Sequence, residues 1–271
     1  MNWLQGILLG VITGISEFFP ISAPAHKELM KHLVGAKGND PILDLLCSLA
    51  ALLALLTANR SFFEMLRRDQ RLTERHSRVK NNRGSRDLRV VKKAMLPMIF
   101  GYIFLTYISN NIVSFPVISA LLLINGIILF LPTRMLQGNK DARSMSALDS
   151  LLLGLTGAIS ALPGFSRIAL QTTVVRIRGA DSTHALNWAL LLSIPALITT
   201  TAISLLALAT GFNGIRFSCG FFTYLLVFLG TYIGSYLSIF FVKILAHRNN
   251  LSLFAYYSWG AALFVFIMYL I

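Results

Sequence analysis

The chain has 271 residues, of which 55% are hydrophobic and only 13% charged, about half the ~25% charged share of an ordinary soluble domain. A mean hydropathy of +0.68 excludes that class and points to an all-α integral membrane protein. The net charge of +13 would suit a nucleic-acid partner, but residues 60–93 alone carry 12 of the 24 Lys and Arg, with no aromatic interleaving beyond Phe62 and Phe63. A basic block between two apolar segments reads as a cytoplasmic loop that obeys the positive-inside rule, part helix extension and part flexible, with no nucleic acid bound.

Taken in order, the first apolar segment, 3–23, is broken by Gly14-Ile-Ser-Glu-Phe-Phe-Pro-Ile-Ser-Ala-Pro-Ala-His26. No Lys or Arg precedes Lys27, so the positively charged start of a signal peptide is missing and none is expected. A short helix is expected over 25–34, with Lys27, Glu28 and Lys31 putting His32 on the outer surface. Spans of the ~20 residues a bilayer needs follow near 41–58, 94–113 and 116–133. A second apolar segment, 147–175, is broken by Ala161-Leu-Pro-Gly-Phe-Ser-Arg167, and further spans lie near 186–209, 219–244 and 251–271.

If both interrupted segments enter and leave by one face, 19 Lys and Arg lie inside, four outside (Lys27, Lys31, Lys37, Arg216) and Arg167 within the membrane. Both termini then face outside. Six transmembrane helices and two re-entrant helical hairpins result. The two broken segments also align: Leu8-Leu9-Gly10 on Leu152-Leu153-Gly154, Ile15-Ser16 on Ile159-Ser160, and Ser22 on Ser166. Residues 1–133 and 147–271 thus read as inverted-topology repeats of one membrane domain, each a hairpin plus three spans. Gly6, Gly10 and Gly14 form a ridge for close helix approach. Cys47 and Cys219 read as packing residues.

Charged groups among membrane-buried residues are expensive and point to a site. Glu17 reads as a metal ligand or general base, or as a carboxylate satisfied by hydroxyls or arginine. His26 suits proton transfer or nucleophilic attack, with a capping role as the plainer alternative. Arg167 follows Pro163-Gly164-Phe165-Ser166, a turn where amides can converge on an anion, and its guanidinium fits phosphate in two-pronged fashion. A salt bridge from Arg167 to Glu17 is the structural alternative. Asp149 reads as a helix cap. The tips are expected to meet, bringing Glu17, Ser22 and His26 to Ser166 and Arg167, since neither polar set has partners of its own in the membrane.

These motifs carry a family resemblance. Gly10 to His26 resembles the first signature of the bacterial undecaprenyl-pyrophosphate phosphatases, roughly G-x-x-E-G-(L/I)-T-E-F-L-P-(I/V)-S-S-T-G-H, and Leu162-Pro-Gly-Phe-Ser-Arg-Ile-Ala169 resembles the second, P-G-x-S-R-S-G. The resemblance covers essentially the whole chain and implies the same architecture. It implies removal of the terminal phosphate from a C55 polyprenyl diphosphate in the bacterial plasma membrane, at a site opening to the outer face, aided by a divalent cation such as Mg²⁺ or Ca²⁺. It carries catalytic roles to Glu17 (also the metal ligand), Ser22, His26 and Arg167, and phosphate binding to Ser166, Gly164 and Arg167. Thr13 stands where the family has its first glutamate, Ala23 where it has the second serine, Gly157 for a glutamine, Ile168-Ala169 for Ser-Gly, and Asn187 for a glutamate. Losing an acidic ligand and a hydroxyl keeps a second function class open: a lipid-phosphate transporter, or a non-catalytic homologue, gripping the headgroup without cleavage. A homodimer is also left open.

Overall fold

The computed structural model describes residues 1–35, 40–75, 83–112, 114–134, 138–211, 217 and 219–270. Lys37, Arg216 and the middle of the basic block, 76–82, lie outside the described residues. Helix α1 (Trp3–Phe18) starts on an Asn2 capping box with Gln5 and ends one residue before Phe19-Pro20, where the proline cannot continue the helical bonding. After a three-residue turn, α2 (Ala23–Leu33) starts from Ser22, whose φ of 72° reverses the chain. Then come α3 (Pro41–Ala58), α4 (Arg60–Arg75), α5 (Arg83–Ile112), α6 (Phe115–Phe130) and a 3-10 turn, Leu131–Arg134. The second half repeats the opening: α7 (Ala147–Ile159), a turn through Pro163-Gly164, and α8 (Arg167–Ile177) capped by Ser166. Three long helices close the chain, α9 (Ser182–Thr210), α10 (Phe221–His247) and α11 (Leu253–Leu270).

Among the described residues the chain is all-helical, and five helices are long and apolar enough to cross a membrane: α3, α6 with its 3-10 turn, α9, α10 and α11. It is a multi-pass α-helical membrane protein. The described parts of the basic block are helical, as α4 and the first turns of α5. Residues 94–112 of the expected span 94–113 fall within α5, from which Phe100 projects with 71% of its surface exposed. The cap of α7 is Ser146, and Asp149 completes its capping box from the first turn: its carboxylate accepts from the Ser146 amide at 2.9 Å, and it also binds Lys140 and Arg178.

The packing is reciprocal between the halves. Helix α1 lies along α10, and α7 lies along α5; α3 meets α9, and α6 meets α11. The seam between α1 and α10 is set by glycine. A Cβ on Gly14 would stand 2.3 Å from the Thr231 carbonyl oxygen, and one on Gly10 would stand 2.5 Å from that of Val227. These obstacles are backbone, so only a shift of the helices could relieve the overlap. Gly14→Val should therefore lower stability by more than the ~1–3 kcal/mol of ordinary overpacking. A melting midpoint in detergent equal to that of the unmodified chain would contradict this.

Candidate functional site

The two interrupted segments meet in the middle of the helix assembly. Gly164, at a φ of +124° that disfavours a side chain, donates its amide to the Ser22 hydroxyl at 2.9 Å. The Ser166 hydroxyl donates to the Phe19 carbonyl at 3.3 Å. Between them stands Asn125 of α6, fully buried. Its side-chain amide donates to the Pro20 carbonyl and to Ser258, each at 3.2 Å, and its oxygen accepts from the Ser166 amide at 2.9 Å. One side chain thus fixes both turns at once.

Across this junction Arg167 donates to Glu17 at 2.5 Å and, through Nε, to the Ser193 hydroxyl at 3.1 Å. Both residues line a cavity that also takes in Thr13, Ser166, Lys27 and Asp44. The N-terminal ends of α2, through Ala23, and of α8, through Ser166 and Arg167, open on this cavity. Helix N-termini carry partial positive charge, which suits an anion. Two of the five guanidinium N–H groups are occupied by these contacts, and the rest stay available.

Ser22, His26 and Gly164 do not line the cavity. Ser22 is fully buried, with its oxygen given to the amides of Gly164 and Ala25. The ring of His26 lies against that of Tyr257, with centroids 5.6 Å apart. Its Nδ1 is 2.8 Å from the Ser22 carbonyl, which can only accept, so Nδ1 carries a hydrogen; Nε2 meets the Tyr257 hydroxyl at 2.8 Å. The turn amides expected to converge on an anion are spent within the protein: that of Gly164 on Ser22 of the opposite tip, that of Ser166 on Asn125 of α6. Of the candidate residues, Glu17, Ser166 and Arg167 reach the cavity, while Ser22, His26 and Gly164 hold its walls together.

Three residues that sequence reasoning passed over belong here. Asn125 and Ser193 are the partners just described. Lys27, assigned to the outer surface, turns inward, because Lys27 and Lys31 stand one helical turn apart on the inner face of α2. Glu28 and His32 take the outer face. That four-residue spacing was the signal available.

The family model described as bacitracin resistance protein BacA matches residues 6–264. The chain belongs to this family. An undecaprenyl-diphosphatase of Carboxydothermus hydrogenoformans is 26% identical over 265 residues, covering 96% of this chain and 94% of the relative. Undecaprenyl-diphosphatase 1 of Shouchella clausii is 28% identical over 269 residues, covering 98% and 96%. An undecaprenyl-diphosphatase of Methanobrevibacter smithii is 27% identical over 280 residues, covering 98% of each.

Without substrate phosphate, the donor set of this BacA-family cavity fits a divalent cation poorly. Hard cations take oxygen ligands, usually with more than one carboxylate or with substrate phosphate. Here Arg167 takes one of the two Glu17 oxygens, two lysines pair with Asp44, and position 13 offers a neutral hydroxyl. No group of three His, Cys, Asp or Glu placed to hold a metal occurs among the described residues.

Proposed function

We propose that this chain hydrolyses the terminal phosphate of undecaprenyl diphosphate, or of a close polyprenyl diphosphate, recycling the carrier lipid used in building the cell envelope. The observation that carries this is the Arg167–Glu17 pair, which joins the two interrupted segments on the wall of one cavity in a BacA-family chain. Arginine is suited to bind the terminal phosphoryl group and to stabilise the charge that builds on its oxygens as it transfers. Glu17 keeps one carboxylate oxygen beyond its contact with Arg167 and serves as the base. A water oxygen bonds to the terminal phosphorus, its proton passes to Glu17, and the bond to the bridging oxygen breaks. Lipid monophosphate and inorganic phosphate leave. Ser166 lies beside the phosphate, and Ser22, His26 and Gly164 act as positioning residues through the tip-to-tip bonds.

The proposed membrane arrangement has six spans and two re-entrant hairpins in inverted repeats, in the bacterial plasma membrane. It is supported by the reciprocal packing of α1 on α10 and α7 on α5, and by the exposed apolar surface of α5 at Leu96, Phe100 and Phe104. The charge distribution supports placing α2, and with it the mouth of the cavity, on the outer side.

Purified protein in detergent should release phosphate from undecaprenyl diphosphate, and an Arg167→Ala variant should not. Release no greater than in that variant, from a sample that still binds the lipid, would overturn the enzyme in favour of a binder or transporter.

A further inference from the structure

Lys27 contributes a second cation to the wall that Arg167 lines. Its ammonium is 3.0 Å from Asp44 Oδ1, and Lys31 reaches the same oxygen at 3.4 Å. Both are ion pairs to one carboxylate oxygen. Two ammonium groups share one carboxylate, which leaves Asp44 compensated by Lys31 if Lys27 turns away. An ammonium is a compact charge on a flexible stem, able to make that move. On the same wall Thr13 is buried, 4% exposed, and its hydroxyl has no hydrogen-bond partner among the described residues. A buried hydroxyl left unbonded costs free energy, and a phosphate oxygen arriving in the cavity would satisfy it.

We infer that Lys27, with the Thr13 hydroxyl, forms a second phosphate subsite in the cavity that Arg167 lines, and that its ammonium supplies the charge neutralisation for which a divalent cation would otherwise be needed. The inference rests on the proposed diphosphate substrate. Arg167 takes one phosphate of the pair, and Lys27 and Thr13 take the other. Binding of a prenyl diphosphate then depends on Lys27 and is indifferent to divalent metal. The poor fit of the carboxylates to a cation and the presence of this ammonium are two sides of one arrangement.

The test is calorimetric titration of the detergent-purified full chain with farnesyl diphosphate, in EDTA and in Mg²⁺. Phosphate release is measured in parallel. The unmodified chain should bind equally in both, within about twofold, and Lys27→Met should weaken binding about tenfold or more, the loss of one charge-assisted hydrogen bond. Lys27→Arg should retain most of the affinity, and matching melting midpoints identify the folded variants. Titration with Mn²⁺ alone, followed by its paramagnetic resonance, should show no binding above that to a Glu17→Gln variant. An affinity that collapses in EDTA and returns with Mg²⁺, or a folded Lys27→Met variant that binds as tightly as the parent, would overturn the subsite. Metal-indifferent, Lys27-dependent binding without phosphate release would leave the subsite standing and remove the hydrolase.

Discussion

Replacing Arg167 by lysine should lower phosphate release about 10²–10³-fold, the usual loss when one donor to a developing oxyanion is removed. Lysine keeps the charge, but it cannot hold Glu17, Ser193 and a phosphate oxygen with one planar fork. A loss this large has a structural alternative: the Arg167–Glu17 pair also ties the two tips together. A cycle of variants separates the two roles. Arg167→Met leaves Glu17 largely buried, at 16% exposure, without its ion-pair partner, and breaking a buried pair this way costs ~3–5 kcal/mol. Adding Glu17→Gln removes the stranded charge, so the double variant should melt at a higher temperature than Arg167→Met alone. Its phosphate release should stay at background, because stability returns and the phosphate-binding group does not. Recovery of activity together with stability would make the pair structural only.

How much of this was legible follows the cost of each group in a membrane. Glu17 and Arg167 stood out because a charge in an apolar segment has few harmless explanations. The prolines at 20 and 163 marked the breaks, since neither can donate the bond that would carry its helix on. The site's support was harder to see. A hydroxyl such as Ser193 can satisfy itself on its own helix, as it does on the Ala189 carbonyl, so its presence in a span gives no hint that it also receives Arg167. The turn amides of Gly164 and Ser166 looked free for an anion, because sequence shows which amides escape helical bonding and not which side chain will meet them. Gly157 shows the same limit. The space left there is filled from α8, where Gln171 Nε2 would lie 2.4 Å from a Cβ at 157. Gln171 thus occupies the room that a side chain at 157 would take, a contact invisible along the chain.

Asn125 offers the second large effect. It lies in an apolar run, Leu122-Leu-Ile-Asn-Gly-Ile-Ile128, where its side-chain amide must find partners within the protein. It finds them on both turns and on α11 through Ser258. Asn125→Leu keeps the volume near constant and leaves the Ser166 amide and the Pro20 carbonyl without these partners. Each stranded group costs ~1–3 kcal/mol, so a loss of about 2–6 kcal/mol is expected, read as a lower melting midpoint in detergent. Activity should fall further than stability alone requires. Arg167 follows Ser166 directly, Glu17 precedes Pro20 by three residues, and a displacement of ~1 Å in such groups costs about 10²-fold. Ser258→Ala is the control: it removes one of the three contacts and neither turn, and it should leave turnover within about twofold while lowering stability by ~1 kcal/mol. At a temperature where both variants are fully folded, turnover by Asn125→Leu should still be depressed. Equal turnover by the two variants under those conditions would show that Asn125 holds the fold together without setting the geometry of Arg167 and Glu17.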